Sequence, residues 1–304
     1  MCKKKRNFVA DLSRKQLFHI IEWCIALIAC GYLAYKLVVF DDYAALGASL
    51  RQMSRLQVLA LLACIALMPV NMGIEAWKWS TLMKLPFREA HRQVYYGKLA
   101  GLITPWRAGE YPARAMLMGE GQLPRVLSMG FVSGATMTAV IILSGVLSLG
   151  ILGLLGNLGD LETLQTSAYW LLLGGVLVAL IVALAFSPRL LRRWATVSHR
   201  VVAICLGQSL VRIVCWCVQL GLVIWALDPV GLPLYRYTVI PNLFIYYLLV
   251  TVTPNVPIAE VGVRGAWAIM LFGSVNAALA GVFLWVINTV LPCAIWPFLR
   301  KNAK

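Results

Sequence analysis

Apolar runs of about twenty residues recur along the chain, at 19–40, 56–80, 126–150, 167–187, 203–227 and 277–299. A hydrocarbon core of about 30 Å needs roughly that length of helix to cross it. Backbone groups inside the core must be paired within the segment or within a closed barrel. Barrel strands alternate in character over about ten residues, which unbroken apolar runs exclude. Composition points the same way: 61% of residues are hydrophobic and only 13% charged, against about a quarter charged in soluble domains. The sequence therefore reads as an all-α, polytopic helical membrane protein, one membrane domain over 1–304. Its polar stretches are too short for an attached soluble catalytic domain.

The formal net charge of +15 is explained by topology before any nucleic acid is invoked. MCKKKRNF carries four consecutive basic residues ahead of the first apolar run, which holds that end in the cytoplasm. The run itself is too long for a signal-peptide core and no small-x-small cleavage pattern follows, so it reads as a retained helix. Six spans with both termini inside place 1–18, 81–98, 187–202 and 300–304 in the cytoplasm. These carry seventeen Lys and Arg, against three in 41–55, 151–166 and 228–237. The asymmetry fits the positive-inside rule, provided that segments 94–114 and 238–273 each return to the side they entered from. The expectation is six spanning helices plus two re-entrant broken-helix elements.

Those two elements, entering from opposite faces, share a pattern. VYYGKLAGLITPWRAGEYPAR and NLFIYYLLVTVTPNVPIAEVGVR each hold a Tyr-Tyr pair, an apolar run, Thr-Pro, a small residue before Glu, and Arg four residues on. Thr104-Pro105 matches Thr253-Pro254, Glu110 matches Glu260 and Arg114 matches Arg264. Each element follows two spans and precedes one, so residues 1–155 and 156–304 read as an inverted-topology repeat, an arrangement that builds a midplane site with two-sided access.

Charges at bilayer depth cost about 2.5–3.5 kcal/mol each on insertion scales, so Arg107, Glu110, Arg114, Glu260 and Arg264 must face inward and pair or hydrate. Pro105, Gly109, Pro112, Pro254, Pro257 and Gly262 supply the helix breaks. Pro112, without an amide hydrogen, suits the first turn of a new helix, which puts Arg114 in that turn, where the helix dipole also favours an anion. Pro257 opens a second half-helix, with Glu260 and Arg264 one turn apart on one face. Two half-helix starts with an arginine each make an anion site; the same pairs without a ligand would be staples closing the loops. Arg212, about ten residues into its span, is a partner for Glu75 or for the site. Lys78 reads as snorkelling, Trp77 and Trp79 as interfacial belt, and Gly97-x3-Gly101 and Gly130-x3-Gly134 as packing faces. The eight cysteines contain no CxxC and the three histidines are scattered, so no metal or cofactor is expected, nor is direct ATP coupling without a GxxxxGK[ST] loop.

GLITPWRAGEYPARAML resembles the first signature of the lysylphosphatidylglycerol synthase transmembrane (flippase) family, through Pro105, Arg107, Gly109, Glu110, Arg114 and Ala115. VPIAEVGVRGAWAI resembles the second through Pro257, Gly262, Val263 and Arg264, with Ala259 and Glu260 in place of a glycine pair and Gly265 in place of a glutamate. The resemblance implies movement of a polar or charged lipid between leaflets of a bacterial inner (cytoplasmic) membrane. It carries no synthase activity to a chain lacking the fused aminoacyl transferase. The expectation is thus a non-enzymatic, flippase-like translocator whose partners are a lipid substrate and the bilayer, not nucleic acid. Two alternatives stand beside it: a polyprenyl-phosphate-dependent transferase using Asp41-Asp42, and a non-catalytic accessory subunit.

Overall fold

A computed structural model of the chain describes residues 53–104, 107–154, 197–228, 238–253 and 260–301. Helix accounts for nearly all of them and no strand occurs among them. Four helices there are long and apolar enough to cross a membrane: Arg55–Met83, Leu123–Gly153, His199–Leu227 and Val275–Pro297. They coincide with four of the six runs read from the sequence. The runs at 19–40 and 167–187 lie outside the described residues, as do Asp41-Asp42, Pro105, Trp106, Pro254 and Pro257.

The first long helix, α1 (Arg55–Met83), starts where Ser54 and Gln57 cap each other: Ser54 Oγ accepts from the Gln57 amide at 3.3 Å and Gln57 Oε1 from the Ser54 amide at 2.7 Å. This reciprocal box satisfies two of the amides that a helix start leaves orphaned. The helix ends at Lys84, in left-handed backbone with φ 57. Next come α2 (Phe87–Ile103), the seven-residue α3 (Glu110–Met116) and α4 (Leu123–Leu154). The second series runs α5 (His199–Leu227), α6 (Val239–Val252), α7 (Glu260–Phe272) and α8 (Val275–Trp285). A π turn at Val286–Val290 joins α8 to α9 (Leu291–Lys301).

The most extensive packing in the molecule joins α1 to α5, and its bonds make the pair antiparallel. Gln57 Nε2 donates to the Ala226 carbonyl at 2.9 Å, Gln219 Nε2 to the Cys64 carbonyl at 3.0 Å, and Arg212 Nε to Asn71 Oδ1 at 2.9 Å. Lys78 Nζ donates to Ser209 Oγ at 2.7 Å, and Gln208 Nε2 to Thr81 Oγ1 at 3.1 Å. Residues 57, 64, 71 and 78 on α1, and 212, 219 and 226 on α5, recur every seven residues. Seven residues are close to two turns, so each set forms one stripe. The result is a polar seam between two apolar helices. In lipid, where burying apolar surface gives helices little reason to associate, interhelical hydrogen bonds average about 0.6 kcal/mol each.

Elsewhere α4 lies on α6, and α9 lies on α2. Glycines let α4 come close to α6 and to α3. A Cβ added at Gly145 of α4 would stand 2.6 Å from Leu248 Cβ of α6, and one at Gly130 2.5 Å from the Tyr111 ring. Gly134 differs from its expected role, because a Cβ there meets nothing within 4 Å. Gly145→Ala should therefore lose about 1–3 kcal/mol through overpacking and lower the thermal unfolding temperature in detergent. Gly134→Ala should hold or raise it, since alanine is the better helix former. Equal midpoints for the two variants would refute the α4–α6 contact.

Candidate functional site

The break between α2 and α3 is built by Thr104. Its hydroxyl donates to the Ala100 carbonyl at 2.7 Å and accepts from the Gly109 amide at 2.9 Å, closing the loop around one side chain. A Cβ on Gly109 would stand 2.8 Å from Thr104 Cγ2 and 3.0 Å from the Ala100 carbonyl, so the residue at the loop's closing point has no room for a side chain. Arg107 within the loop holds left-handed backbone at φ 56, at a cost of about 1–2 kcal/mol for a non-glycine residue. It is anchored at both ends, its amide on the Thr104 carbonyl at 3.2 Å and its guanidinium on Glu260 Oε2 at 2.8 Å. At the other break Thr253 repeats the device: its hydroxyl donates to the Leu249 carbonyl at 2.7 Å and accepts from Trp267 Nε1 at 2.9 Å.

α3 opens at Glu110 after Gly109, which puts Pro112 in its first turn as read from the sequence, but Arg114 falls in the last turn and not in the first. Pro112 still fits as the third helical residue, because amides there have no intrahelical acceptor. The shift changes the role of Arg114, which is only 1% exposed and lies against carboxylates instead of presenting a helix start to a ligand. Its Nη2 donates to Glu75 Oε1 at 2.7 Å and to Glu110 Oε1 at 2.6 Å. Its guanidinium carbon also sits 4.7 Å from the centre of the Trp79 ring and 5.2 Å from that of Tyr111, within cation–π range. α3 approaches that closely because α2 offers glycine: a Cβ at Gly97 would meet Arg114 Nε at 2.8 Å and the Glu110 carbonyl at 2.9 Å. The Gly97-x3-Gly101 face is thus a packing face, as read from the sequence, and what packs on it is the charged helix.

Glu75 is the shared member. Its Oε1 binds Arg114 and its Oε2 takes a short bond from Arg212 Nη2, while Lys98 Nζ lies 3.5 Å from Glu75 Oε2 and from Glu110 Oε1. Arg212 is held from its other side by a one-way amide chain. Its Nε donates to Asn71, Asn71 to Asn288, Asn288 to Gln219, and Gln219 to the Cys64 carbonyl, each bond 2.9–3.0 Å. In the second series Glu260 binds Arg264, one turn on, at 2.8 Å and Arg107 at 2.8 Å. The one-turn spacing expected for Glu260 and Arg264 is present. Gly262, expected as a helix break, instead lies buried inside α7.

Lys98, Arg107, Arg212 and Arg264 line a cavity of about 120 Å³, whose wall also carries Trp216, Trp285, Asn288 and Thr289. Asn288 and Thr289 come from the π turn, a feature that often marks functional sites in helices. Among the described residues, five cations (Lys98, Arg107, Arg114, Arg212, Arg264) face three carboxylates (Glu75, Glu110, Glu260) in this network. All six charged residues singled out from the sequence are therefore brought together, but Arg114 stands behind the wall and Lys98 in it. Lys98 had been counted as a loop charge. Glu75 entered the sequence reading only as a partner for Arg212, and Asn71, Gln219 and Asn288 were not singled out; the seven-residue spacing of Gln57, Cys64, Asn71 and Lys78 was the available signal. Two aromatic and basic readings change as well. Trp79 is fully buried, its Nε1 on Gln93 at 2.7 Å, and Lys78 is buried on the Ser133 carbonyl and Ser209. Trp77 is 53% exposed. Among the described residues no group of His, Cys, Asp and Glu side chains could hold a metal.

No protein-family model matches this chain, and a search of curated proteins finds no match either.

Breaking a buried ion pair by removing one partner typically costs about 3–5 kcal/mol. Glu75→Gln should lose about that much, because it strips the shared counter-charge from Arg114, Arg212 and Lys98. Arg107→Gln, whose side chain is 34% exposed, should stay within about 1 kcal/mol. Thermal unfolding in detergent, followed by tryptophan fluorescence, reads both; equal losses would refute the central place of Glu75.

Proposed function

We propose that this chain moves an anionic lipid between the leaflets of a bacterial cytoplasmic membrane, the headgroup entering the cationic cavity while the acyl chains stay in the bilayer. The observation that carries this reading is the wall itself: four cations point to an anionic ligand, and the carboxylates that pair with them are not part of the wall. At about 120 Å³ the cavity is smaller than the roughly 300–1,000 Å³ of pockets that enclose a whole drug-sized ligand. A headgroup fragment fits that space; a lipid does not.

The reading includes six spans, two re-entrant elements, cytoplasmic termini and an inverted repeat. Four features support the repeat. α1 and α5 are each 29 residues long. The helices that follow both end at a threonine whose hydroxyl bonds the carbonyl four residues back. The next helices both open on Glu with Arg at the fifth position. The packing of α4 on α6 and of α9 on α2 is the exchange that a two-fold relation between halves requires. Rocking of two such halves about a shared site gives alternating access. The resemblance to the flippase family agrees with this, and no catalytic chemistry is assigned to the site.

Proteoliposomes with an acyl-labelled anionic lipid and an impermeant quencher measure leaflet exchange directly. Wild-type protein should accelerate exchange over protein-free vesicles. Arg212→Ala with Arg264→Ala should slow it by roughly tenfold or more, the loss of at least one charged hydrogen bond per headgroup. Exchange no faster than in empty vesicles would overturn translocation, and an unchanged rate in a folded double variant would remove the cavity from the route.

A further inference from the structure

Among the described residues, the wall of the cavity is one-sided in charge and rich in hydrogen-bond donors. Lys98, Arg107, Arg212 and Arg264 are donors only, and no carboxylate among the described residues is part of the wall. Trp216 and Trp285, also in the wall, each carry a buried indole N–H that has no hydrogen-bond partner among the described residues. Lys98 approaches its two carboxylates only to 3.5 Å, beyond the roughly 2.7–2.9 Å of a charge-assisted hydrogen bond, so its donors are the least committed of the four cations. The amides of Asn71 and Asn288 are already occupied in holding Arg212. The carboxylates are occupied too: Glu75 by Arg114 and Arg212, Glu110 by Arg114, and Glu260 by Arg107 and Arg264.

Among the described residues, five cations against three carboxylates leave the network two positive charges in excess. We infer that the ligand of this cavity is a phosphate dianion, a phosphomonoester or diphosphate headgroup, and that a headgroup bearing an ammonium is rejected. The source of the ligand as a lipid rests on the translocation reading above; its charge rests on the cavity alone. A terminal phosphate carries about −1.5 to −2 at pH 7 and offers acceptor oxygens, which meets both the charge excess and the row of donors. A phosphodiester brings one charge and leaves the other uncompensated. An ammonium brings a third positive charge to a wall without a carboxylate. The face of Trp216, which could otherwise attract it, is already covered by the Arg212 guanidinium at 4.9 Å.

The experiment compares acyl-labelled phosphatidate, phosphatidylglycerol and phosphatidylethanolamine in the same proteoliposomes, with stabilisation of the detergent-solubilised protein against heat as a second readout. At pH 8, phosphatidate should move and stabilise about tenfold more effectively than phosphatidylethanolamine, with phosphatidylglycerol between them. At pH 5, below the second phosphate pKa of about 6, the advantage of phosphatidate over phosphatidylglycerol should vanish. Lys98→Met, which removes one of the two excess charges, should shrink that advantage at pH 8; Arg107→Gln is the second variant if the first does not fold. Equal movement of phosphatidate and phosphatidylethanolamine would overturn the charge selection and leave translocation standing. Selective stabilisation by phosphatidate without movement would support the dianion and overturn translocation. Stabilisation by inorganic pyrophosphate but not by phosphatidate would support the dianion and overturn the lipid source. No stabilisation by either would overturn the inference.

Discussion

A carboxylate in the middle of an apolar helix has to be paired, and Glu75 meets that demand by binding two arginines from elements far apart in sequence. One of its oxygens takes Arg114 from the short helix after the break, and the other takes Arg212 from α5. An unpaired charge at this depth would cost several kcal/mol, so the three elements are held in register by electrostatics that lipid cannot replace. The cavity and its cations stand on that arrangement. Arg212 faces the cavity because Glu75 and Asn71 fix its other edges, and Lys98 is left with the weaker share of the same carboxylates.

The seam between α1 and α5 extends the same logic along the two helices. Apolar side chains give these helices little reason to prefer each other over lipid, whereas the chain from Arg212 through Asn71, Asn288 and Gln219 to the Cys64 carbonyl has only one register in which every amide is satisfied. Polar groups that seem out of place in a hydrophobic span thus specify which helices meet and at what height. Glycines on α2 complete the fit by letting a helix that carries buried charge lie directly on its neighbour.

Much of the fold was legible in the sequence, because the hydrocarbon thickness imposes a length that any spanning helix must match. The runs at 56–80, 126–150, 203–227 and 277–299 were each recovered within a few residues. Glu110, Arg114, Glu260 and Arg264 were legible for a related reason: charges beside proline and glycine, repeated at the same spacing, stand out against apolar surroundings. Arg114 was read into the first turn of α3 and lies in its last, because the helix opens at Glu110, where the Thr104 hydroxyl closes the loop, a tertiary detail with the same composition as any other turn. Trp79 and Lys78 were read as interfacial residues, the ordinary place for such side chains. Their partners Gln93 and Ser209 lie on other helices, and no local pattern announces them.

The sequence by itself determined the solvent the chain folds in, the helices that cross it and the charges that cannot face lipid, since these follow from local hydropathy and the energy of burying ions. Only the tertiary structure decided which charge pairs with which. It put Arg114 behind the wall with Glu75 and Glu110, and brought Lys98, Arg107, Arg212 and Arg264 around one cavity. That division has a physical reason. Burial cost is a property of each residue, but its compensation depends on distances between helices, and those are set by packing across the whole bundle.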